Sequence, residues 1–144
     1  MAKLVDSLKV TLADVVTMYF VAHGYHWNVE GEDFHQYHEL FAEIYADVYS
    51  SIDPLAEDIR KLGDYAPFTM SKFIDLRTVE SKEVKPEPKA MAKALITVND
   101  GVIESLVKAS DLANKEREYG IMDFLAGRID MHQKWRWQLT ASTK

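Results

Sequence analysis

The chain has 144 residues, a net charge of −6 at pH 7 and no cysteine. We expect residues 1–144 to form a single domain with a substantial core, without disulfide or thiol chemistry. The negative charge argues against a general nucleic-acid-binding protein. The amino-terminal segment lacks the apolar core of a signal peptide and no apolar run is long enough for a membrane span, so we expect a cytoplasmic protein.

The first predicted helix covers about Val5 to Trp27. Its face positions repeat at intervals of four and three residues: Leu8, Leu12, Val15, Tyr19, Ala22 and His26. The following segment, Asn28 to Glu32, predicts a tight turn, and Asp33 is positioned to cap the next helix through its side-chain oxygen. His26 is therefore expected at a helix end, beside the first turns of the second helix.

The second helix is predicted from Asp33 to Gly63 and has two distinct faces. The apolar face, which is expected to point into a core, comprises Phe34, Phe41, Ile44, Val48, Ile52, Leu55, Ile59 and Leu62. The other face comprises His38, Ala42, Tyr45, Tyr49, Asp53 and Glu57. Pro54 removes one backbone hydrogen bond and should kink or interrupt the helix near Ser50. Alternatively, Asp53 caps a separate helix that begins with Pro54, which is compatible with metal binding.

The remainder of the chain predicts one short and two long helices. A short helix is expected over Thr69–Leu76 and a proline-containing loop over Arg77–Lys89. The third long helix is predicted over Ala90–Asn114 and the fourth over Ile121–Ala141, with Asp123 in its first turn. Short and long connections alternate and no strand pattern is present. The sequence therefore predicts an all-α, ferritin-like four-helix bundle with a short extra helix in the long crossover between the second and third helices.

The candidate metal ligands are too far apart to meet within one helix. His38 and Asp53 are fifteen residues apart, which corresponds to about 22 Å of helix. Two copies of the helix packed antiparallel across a two-fold axis near residues 46 and 47 would place His38 opposite Asp53 and Glu57. We therefore predict two identical sites per dimer, each with His26 and His38 from one chain and Asp53 and Glu57 from the other.

Imidazole and carboxylate ligands together suit iron, manganese or zinc. Asp53 and Glu57 share a helix face at a spacing of four residues, but most such pairs are simply solvated, and histidines at helix ends are commonly structural. A conventional ferritin centre inside one bundle would need two Glu-x-x-His pairs on separate helices. The chain has only one, Glu32 to His35, at a turn, which favours a site between chains.

Short motifs along nearly the whole chain carry a family resemblance. They are His26-Trp-Asn-Val29, Gly31, Phe34, His38-Glu39, Asp53-x-x-Ala56-Glu57, Leu62-Gly63, Pro67-Phe68, Lys85-Pro86 and the segment from Asp130 to Lys134 that leads to Trp137. Together they resemble the Dps proteins, the DNA-protection mini-ferritins.

The resemblance implies a dodecameric hollow shell with ferroxidase centres at its dimer interfaces. Such centres oxidise Fe(II) to Fe(III), preferably with hydrogen peroxide, and ferric mineral is stored inside the shell. The ligands of the family carry over onto His26, His38, Asp53 and Glu57, with iron as the metal. Removal of Fe(II) and peroxide together is how the family shields DNA from hydroxyl radicals.

The chain departs from this family pattern near the predicted site. Ala42 stands where an acidic residue is common, and Glu43 follows one step later and about 100° round the helix. A second iron would then be weakly held, unless His35 or Glu39 substitutes. Pro54 can also tilt the two carboxylates.

The chain ends, MAKLVDSLK and TASTK, carry few charges, which argues against direct DNA binding. Glu116, Glu118 and Asp123 can line three-fold pores, or can be ordinary capping and solvated charges. The alternatives to an iron-oxidising storage protein are a metal-binding or structural shell with weak ferroxidase activity, and a DNA-associated architectural protein.

The three tryptophans are candidates for packing. Trp135 and Trp137 are expected to pack in the fourth helix. Trp27, next to His26, can also intercept oxidising equivalents.

Overall fold

The structure is a computed structural model that describes residues 1–144. It contains six helices and no strand: α1 (Ala2–Asn28), α2 (Phe34–Ser50), α3 (Ile52–Lys61), α4 (Met70–Leu76), α5 (Pro88–Lys115) and α6 (Tyr119–Ser142). Helices α2 and α3 follow one another as one interrupted rod that packs against α1. Helix α1 also packs against α5, α5 packs against α6, and α4 lies in the crossover against α1. The predicted ferritin-like four-helix bundle with a short helix in its crossover is confirmed.

The core is built from the apolar face of each long helix. Side chains with almost no exposure come from all of them: Leu8, Leu12, Met18, Phe41, Ile44, Leu55, Ile59, Leu95, Leu106, Leu125 and Leu139. Their spacing of three and four residues puts them on one side of each helix, and burial of that side stabilises the bundle. Among the residues predicted for the apolar face of the second helix, Phe34 is the exposed one, at 37%, and its ring stacks on His38.

The second rod is interrupted where Pro54 predicts. The backbone N–H and the hydroxyl of Ser51 both donate to the carbonyl of Val48, at 3.1 and 2.7 Å, and the helical ladder restarts at Ile52. Asp53 lies in the first turn of α3, and Ser51 holds the N-cap position, so the alternative in which Asp53 caps a helix beginning with Pro54 is wrong. Asp33 does hold the N-cap position of α2, but its side chain makes no capping hydrogen bond.

The other helix ends differ from the predictions by a few residues. Helix α1 begins three residues earlier and α5 two residues earlier than predicted, with Pro88 at the amino-terminal end of α5, where a missing N–H costs nothing. Only residues 116–118 separate α5 from α6, so Asp123 lies beyond the first turn of α6. None of the helices combines the length and apolar character that crossing a lipid bilayer requires.

A buried carboxylate on α1 anchors the long crossover. Asp14 is fully buried and accepts hydrogen bonds from the backbone N–H of Thr78 at 2.6 Å, the hydroxyl of Thr78 at 2.6 Å, the N–H of Val79 at 3.1 Å and the hydroxyl of Ser105 at 2.5 Å. The side chain of Val79 fills the space beside Gly101, where a Cβ would collide with it. The crossover is thus fixed between α1 and α5.

Candidate metal centre

His26 and His38 form a stacked pair where α1 meets α2. The turn over residues 29–33, with Gly31 at a φ of 122°, folds α2 back along α1. The two rings lie 3.7 Å apart between centroids at an interplanar angle of 15°. Nδ1 of His26 is 2.7 Å from the carbonyl oxygen of His38, and Nδ1 of His38 is 2.7 Å from the carbonyl oxygen of His26.

This reciprocal arrangement determines which ring nitrogen of each histidine is available. A carbonyl oxygen can only accept, so each Nδ1 must carry the hydrogen and donate it. In the neutral rings the lone pair is then on Nε2. Imidazoles that bind metals are held in this way, with one nitrogen donating to a carbonyl or carboxylate and the other facing the ion. The pair therefore fits a metal site through its two Nε2 atoms.

Asp53 and Glu57 are exposed on α3 and form no ion pair or side-chain hydrogen bond within the chain. They share one face of the helix at a spacing of four residues. The single chain brings together no group of three or more potential metal ligands. The structure therefore assembles the two histidines and leaves the two carboxylates apart from them, as the length of the helix requires.

The candidates for additional ligands do not join the histidine pair. His35 and Glu39 are exposed and lie 3.7 Å from one another, and Glu43 is also exposed. Ala42 is half-buried one turn after His38 and offers only a methyl group. Among the proposed pore residues, Glu116 pairs with the amino group of Met1 at 3.0 Å.

An aromatic cluster lies beside His26 and contains a residue that sequence reasoning missed, His23. We define the aromatic cluster as Tyr19, His23, Trp27, Tyr45 and Tyr49. The ring of His23 stacks on Tyr45 at 3.9 Å and lies 4.2 Å from Trp27, while its Nδ1 is 3.0 Å from the hydroxyl of Tyr19. Burial, and then the neighbouring charge of His26, lower the pKa of His23 below its usual value.

The aromatic cluster also reaches the histidine pair and the surface. Tyr45 lies 5.2 Å from the ring of His26, and Tyr19 lies 5.2 Å from Tyr49. Trp27 and Tyr49 are 63% and 60% exposed. Tyr19, His23 and Trp27 repeat every four residues, and this spacing on one helix face is the sequence signal that could have identified the cluster.

A polar network, which sequence reasoning also missed, fills the bundle between α2, α5 and α6. Two terminal nitrogens of Arg128 donate to Asp47 at 2.8 Å each, and the indole N–H of Trp135 donates to Asp47 at 2.7 Å. Arg128 also donates to Nε2 of His132 at 3.2 Å, whose Nδ1–H donates to Oδ1 of Asn99 at 2.8 Å. The interior polar network thus comprises Asp47, Asn99, Arg128, His132 and Trp135.

The ionisation of this network follows from its contacts. Burial pushes the pKa of Asp47 upward, but the hydrogen bonds from Arg128 and Trp135 and the Arg128 charge outweigh it, and the pKa is lowered. Burial and the charge of Arg128 lower the pKa of His132 to about 3. A guanidinium therefore occupies the interior, where it would repel a metal ion.

Two of the tryptophans differ in their surroundings. Trp135 is 4% exposed and packs as predicted, with its indole N–H satisfied by Asp47. Trp137 is 66% exposed, so its predicted packing is wrong within this chain.

Comparisons with known proteins identify the family. The family model of the ferritin-like domain matches residues 5–143. The DNA protection during starvation protein of Helicobacter pylori is 29% identical over 140 residues, which cover 96% of this chain and 97% of the relative. The crystal structure of Dps from Thermosynechococcus elongatus superposes with a TM-score of 0.95 at 26% identity, covering 99% of this chain and 91% of that chain. The chain belongs to the Dps family of ferritin-like proteins.

A further Dps structure, from Vibrio cholerae, has a TM-score of 0.94 at 26% identity and covers 99% of this chain and 90% of that chain. It is described as a member of a broad superfamily of ferritin-like diiron-carboxylate proteins. The Dps resemblance drawn from short motifs is thus confirmed. The roles of His26, His38, Asp53 and Glu57 in this Dps-family chain stay predictions.

Proposed function

We propose that this protein is a ferroxidase that oxidises Fe(II), with hydrogen peroxide as the preferred acceptor, and stores the ferric product inside a dodecameric shell. Each centre lies between two chains related by a two-fold axis. His26 and His38 come from one chain, and Asp53 and Glu57 come from the other. The observation that carries the proposal is the reciprocal hydrogen bonding of the two histidines, which leaves both Nε2 atoms free to bind a metal ion.

The donor set suits the chemistry of iron. Imidazole nitrogens bind Fe(II), and carboxylate oxygens add negative charge that favours Fe(III) over Fe(II). Asp53 and Glu57 are exposed and uncommitted within their own chain, so both remain available to a second chain. Their common helix face allows them to approach one ion together.

An exposed apolar face supports the pairing of two chains. We call this exposed surface the apolar patch and define it as Phe20, Tyr49, Phe68, Met70 and Ile74, which are between 51% and 84% exposed. Phe20, Met70 and Ile74 also line a shallow cavity of about 160 Å³. Exposed apolar surface of this kind commonly marks a protein–protein interface. It covers parts of α1, α2 and α4, which include the helices that carry the histidine pair.

The decisive experiment combines two inactive variants in one assembly. The first, H26N/H38N, removes both Nε2 atoms, while each asparagine keeps a side-chain N–H group close to the position of Nδ1. The second, D53N/E57Q, removes both negative charges without changing side-chain shape. Each variant is refolded alone and in an equal mixture, and Fe(II) oxidation by peroxide is followed without oxygen through the absorbance of ferric iron.

Only a centre shared between chains predicts rescue in the mixture. In a mixed dimer one centre combines four altered residues, and the other combines the intact histidines of one chain with the intact carboxylates of the other. Random pairing makes about half of the dimers mixed, so we expect about a quarter of the wild-type initial rate. Each variant alone should oxidise iron at the rate of buffer. A mixture that contains mixed dimers but remains at the buffer rate would refute the shared centre.

A second candidate function is a metal-binding shell with weak turnover. The methyl group of Ala42, one turn after His38, favours it, because the centre then lacks a carboxylate for a second ion. This candidate predicts that the wild-type protein binds Fe(II) in a titration while adding little to the rate of oxidation in buffer.

A further inference from the structure

Tyr19 and His23 form a hydrogen-bonded pair within the aromatic cluster. The Tyr19 hydroxyl lies 3.0 Å from Nδ1 of His23, and Tyr19 is half-buried. In the tautomer with hydrogen on Nε2, Nδ1 accepts the hydrogen bond from the phenol. A phenol gives up an electron far more readily when a base takes its proton at the same time. The pair is therefore arranged for a one-electron oxidation of Tyr19.

The pair is connected to the proposed iron centre through rings in contact. The ring of His26 lies 5.2 Å from Tyr45, and Tyr45 stacks on His23 at 3.9 Å. Tyr19 lies 6.2 Å from Tyr45. An electron can thus pass from Tyr19 to the side of His26 without crossing solvent or a gap in the packing.

Two other oxidisable rings of the aromatic cluster, Tyr45 and Trp27, have no proton acceptor within the chain. Tyr45 and Trp27 contact His23 only through their ring faces and edges, and neither makes a side-chain hydrogen bond within the chain. A tyrosine or tryptophan oxidised without losing its proton remains a strongly oxidising cation. The geometry therefore favours Tyr19 over both neighbours as the seat of a radical.

With one Fe(II) bound, the proposed centre cannot supply both electrons that hydrogen peroxide accepts. Hydrogen peroxide accepts two electrons when its O–O bond breaks, whereas a single Fe(II) supplies one. Ala42 leaves the single-ion site without a carboxylate one turn after His38. We propose that Tyr19, with His23 as its proton acceptor, supplies the second electron when one Fe(II) is bound. This inference rests on the ferroxidase function proposed above.

The step balances in atoms and charge. Fe(II) is oxidised to Fe(III), and the Tyr19 phenol is oxidised to a neutral phenoxyl radical. The phenol proton moves to Nδ1 of His23. The peroxide O–O bond breaks, and its two oxygens take the two electrons and two protons from solvent to form two waters. The second electron prevents the release of a hydroxyl radical, which is the product when peroxide receives only one.

The test detects the radical directly. Shells without iron receive one Fe(II) per centre under anaerobic conditions, then one equivalent of hydrogen peroxide, and are frozen rapidly for electron paramagnetic resonance. We expect an organic radical whose hyperfine pattern changes when the protein contains ring-deuterated tyrosine. The signal should be lost in Y19F. Ferric absorbance in the same samples reports whether iron was oxidised, and circular dichroism and gel filtration report whether each variant is folded and assembled.

Y119F provides the matched control. Tyr119 is 52% exposed and follows the turn in which Glu116 contacts the amino group of Met1. Tyr19 is eighteen residues after Met1, which corresponds to about 27 Å along α1. The radical signal should keep its wild-type intensity in Y119F.

His23 has its own variant, which remains informative if Y19F fails to assemble. H23Q keeps a polar side chain but removes the base, and we expect radical formation to slow by about 100-fold. Radical formation should also be slower in D₂O than in H₂O for the wild type, since proton loss accompanies electron loss.

Three results would overturn the inference. They are an unchanged signal in assembled Y19F, a signal that shifts only with deuterated tryptophan, and no organic radical while iron is oxidised at the wild-type rate. In all three the ferroxidase proposal survives, because ferric iron still forms. Failure of the wild type to oxidise Fe(II) faster than buffer would overturn both proposals.

Discussion

Replacement of Arg128 by methionine tests the interior polar network. The side chain of Arg128 is 11% exposed and donates two hydrogen bonds to Asp47. Methionine is of similar length but leaves the Asp47 carboxylate with one donor, the indole of Trp135. Loss of one partner of a buried ion pair costs about 3–5 kcal/mol, because the remaining charge is unpaired. We expect a decrease of this size in the free energy of unfolding at pH 7.

A double variant separates the pairing from the burial. D47N alone leaves the Arg128 charge buried without a counter-charge, in a side chain whose Nε already has no partner. D47N/R128M leaves no unpaired charge, so its cost should be smaller than the sum of the single costs by about 2 kcal/mol. An effect of R128M below about 1 kcal/mol, or additive single costs, would refute this account of the network.

The effect of R128M should depend on pH in a defined direction. The pKa of Asp47 is lowered in the folded protein, so the ionised carboxylate contributes stability at pH values above its unfolded pKa of about 4. This contribution is lost as the pH falls through the lower, folded value. The difference between wild type and R128M should therefore shrink below pH about 4. Urea unfolding followed by circular dichroism measures the difference in free energy of unfolding at pH 7 and below pH about 4. One protein concentration is used throughout, because assembly adds stability.

Three further substitutions test other features. A42D places a carboxylate one turn after His38, and calorimetric titration should show the number of Fe(II) bound per centre rising from one to two; an unchanged stoichiometry would mean that position 42 does not face the ion. M70E/I74E puts negative charge on the exposed apolar patch, and sedimentation should show a loss of dimers and larger assemblies. Assembly like that of the wild type would mean that the interface lies elsewhere. D14A leaves the donors from Thr78 and its neighbours unsatisfied and should lower the free energy of unfolding by about 3 kcal/mol in urea titrations; a loss below about 1 kcal/mol would contradict an anchoring role.

The four-helix bundle could be predicted from the sequence because the patterns that specify its helices and their buried faces are local. Spacings of three and four residues identify the buried faces, and Pro54 predicts the break between α2 and α3. The ends of α1 and α5 were missed by two or three residues, because capping depends on backbone geometry that composition does not specify. Asp33 illustrates this point, since it occupies the N-cap position without making the hydrogen bond.

The site was predictable only in part. The positions of His26 and His38 on successive helices indicated that they would meet, but the carbonyl partner of each ring depends on the angle at which the helices cross. His23 was overlooked because one histidine on a helix face carries no chemistry until Tyr19 and Tyr45 pack around it. Asp47 and Arg128 are 81 residues apart, and no local pattern links them.

The stacked histidines also hold the end of α1 against the start of α2. Each ring donates a hydrogen bond to a backbone carbonyl of the opposite helix. The amide of Glu30 donates to the carbonyl of Pro86 at 3.0 Å. The turn between the two helices is therefore held in place without a metal ion. The conformational freedom of these rings is lost during folding, and an incoming ion does not have to order them. If the centre is shared as proposed, a chain released from the assembly would keep both histidine nitrogens in place and would lose only the carboxylates of its neighbour. Metal retained by isolated subunits would therefore measure the strength of the nitrogen half alone.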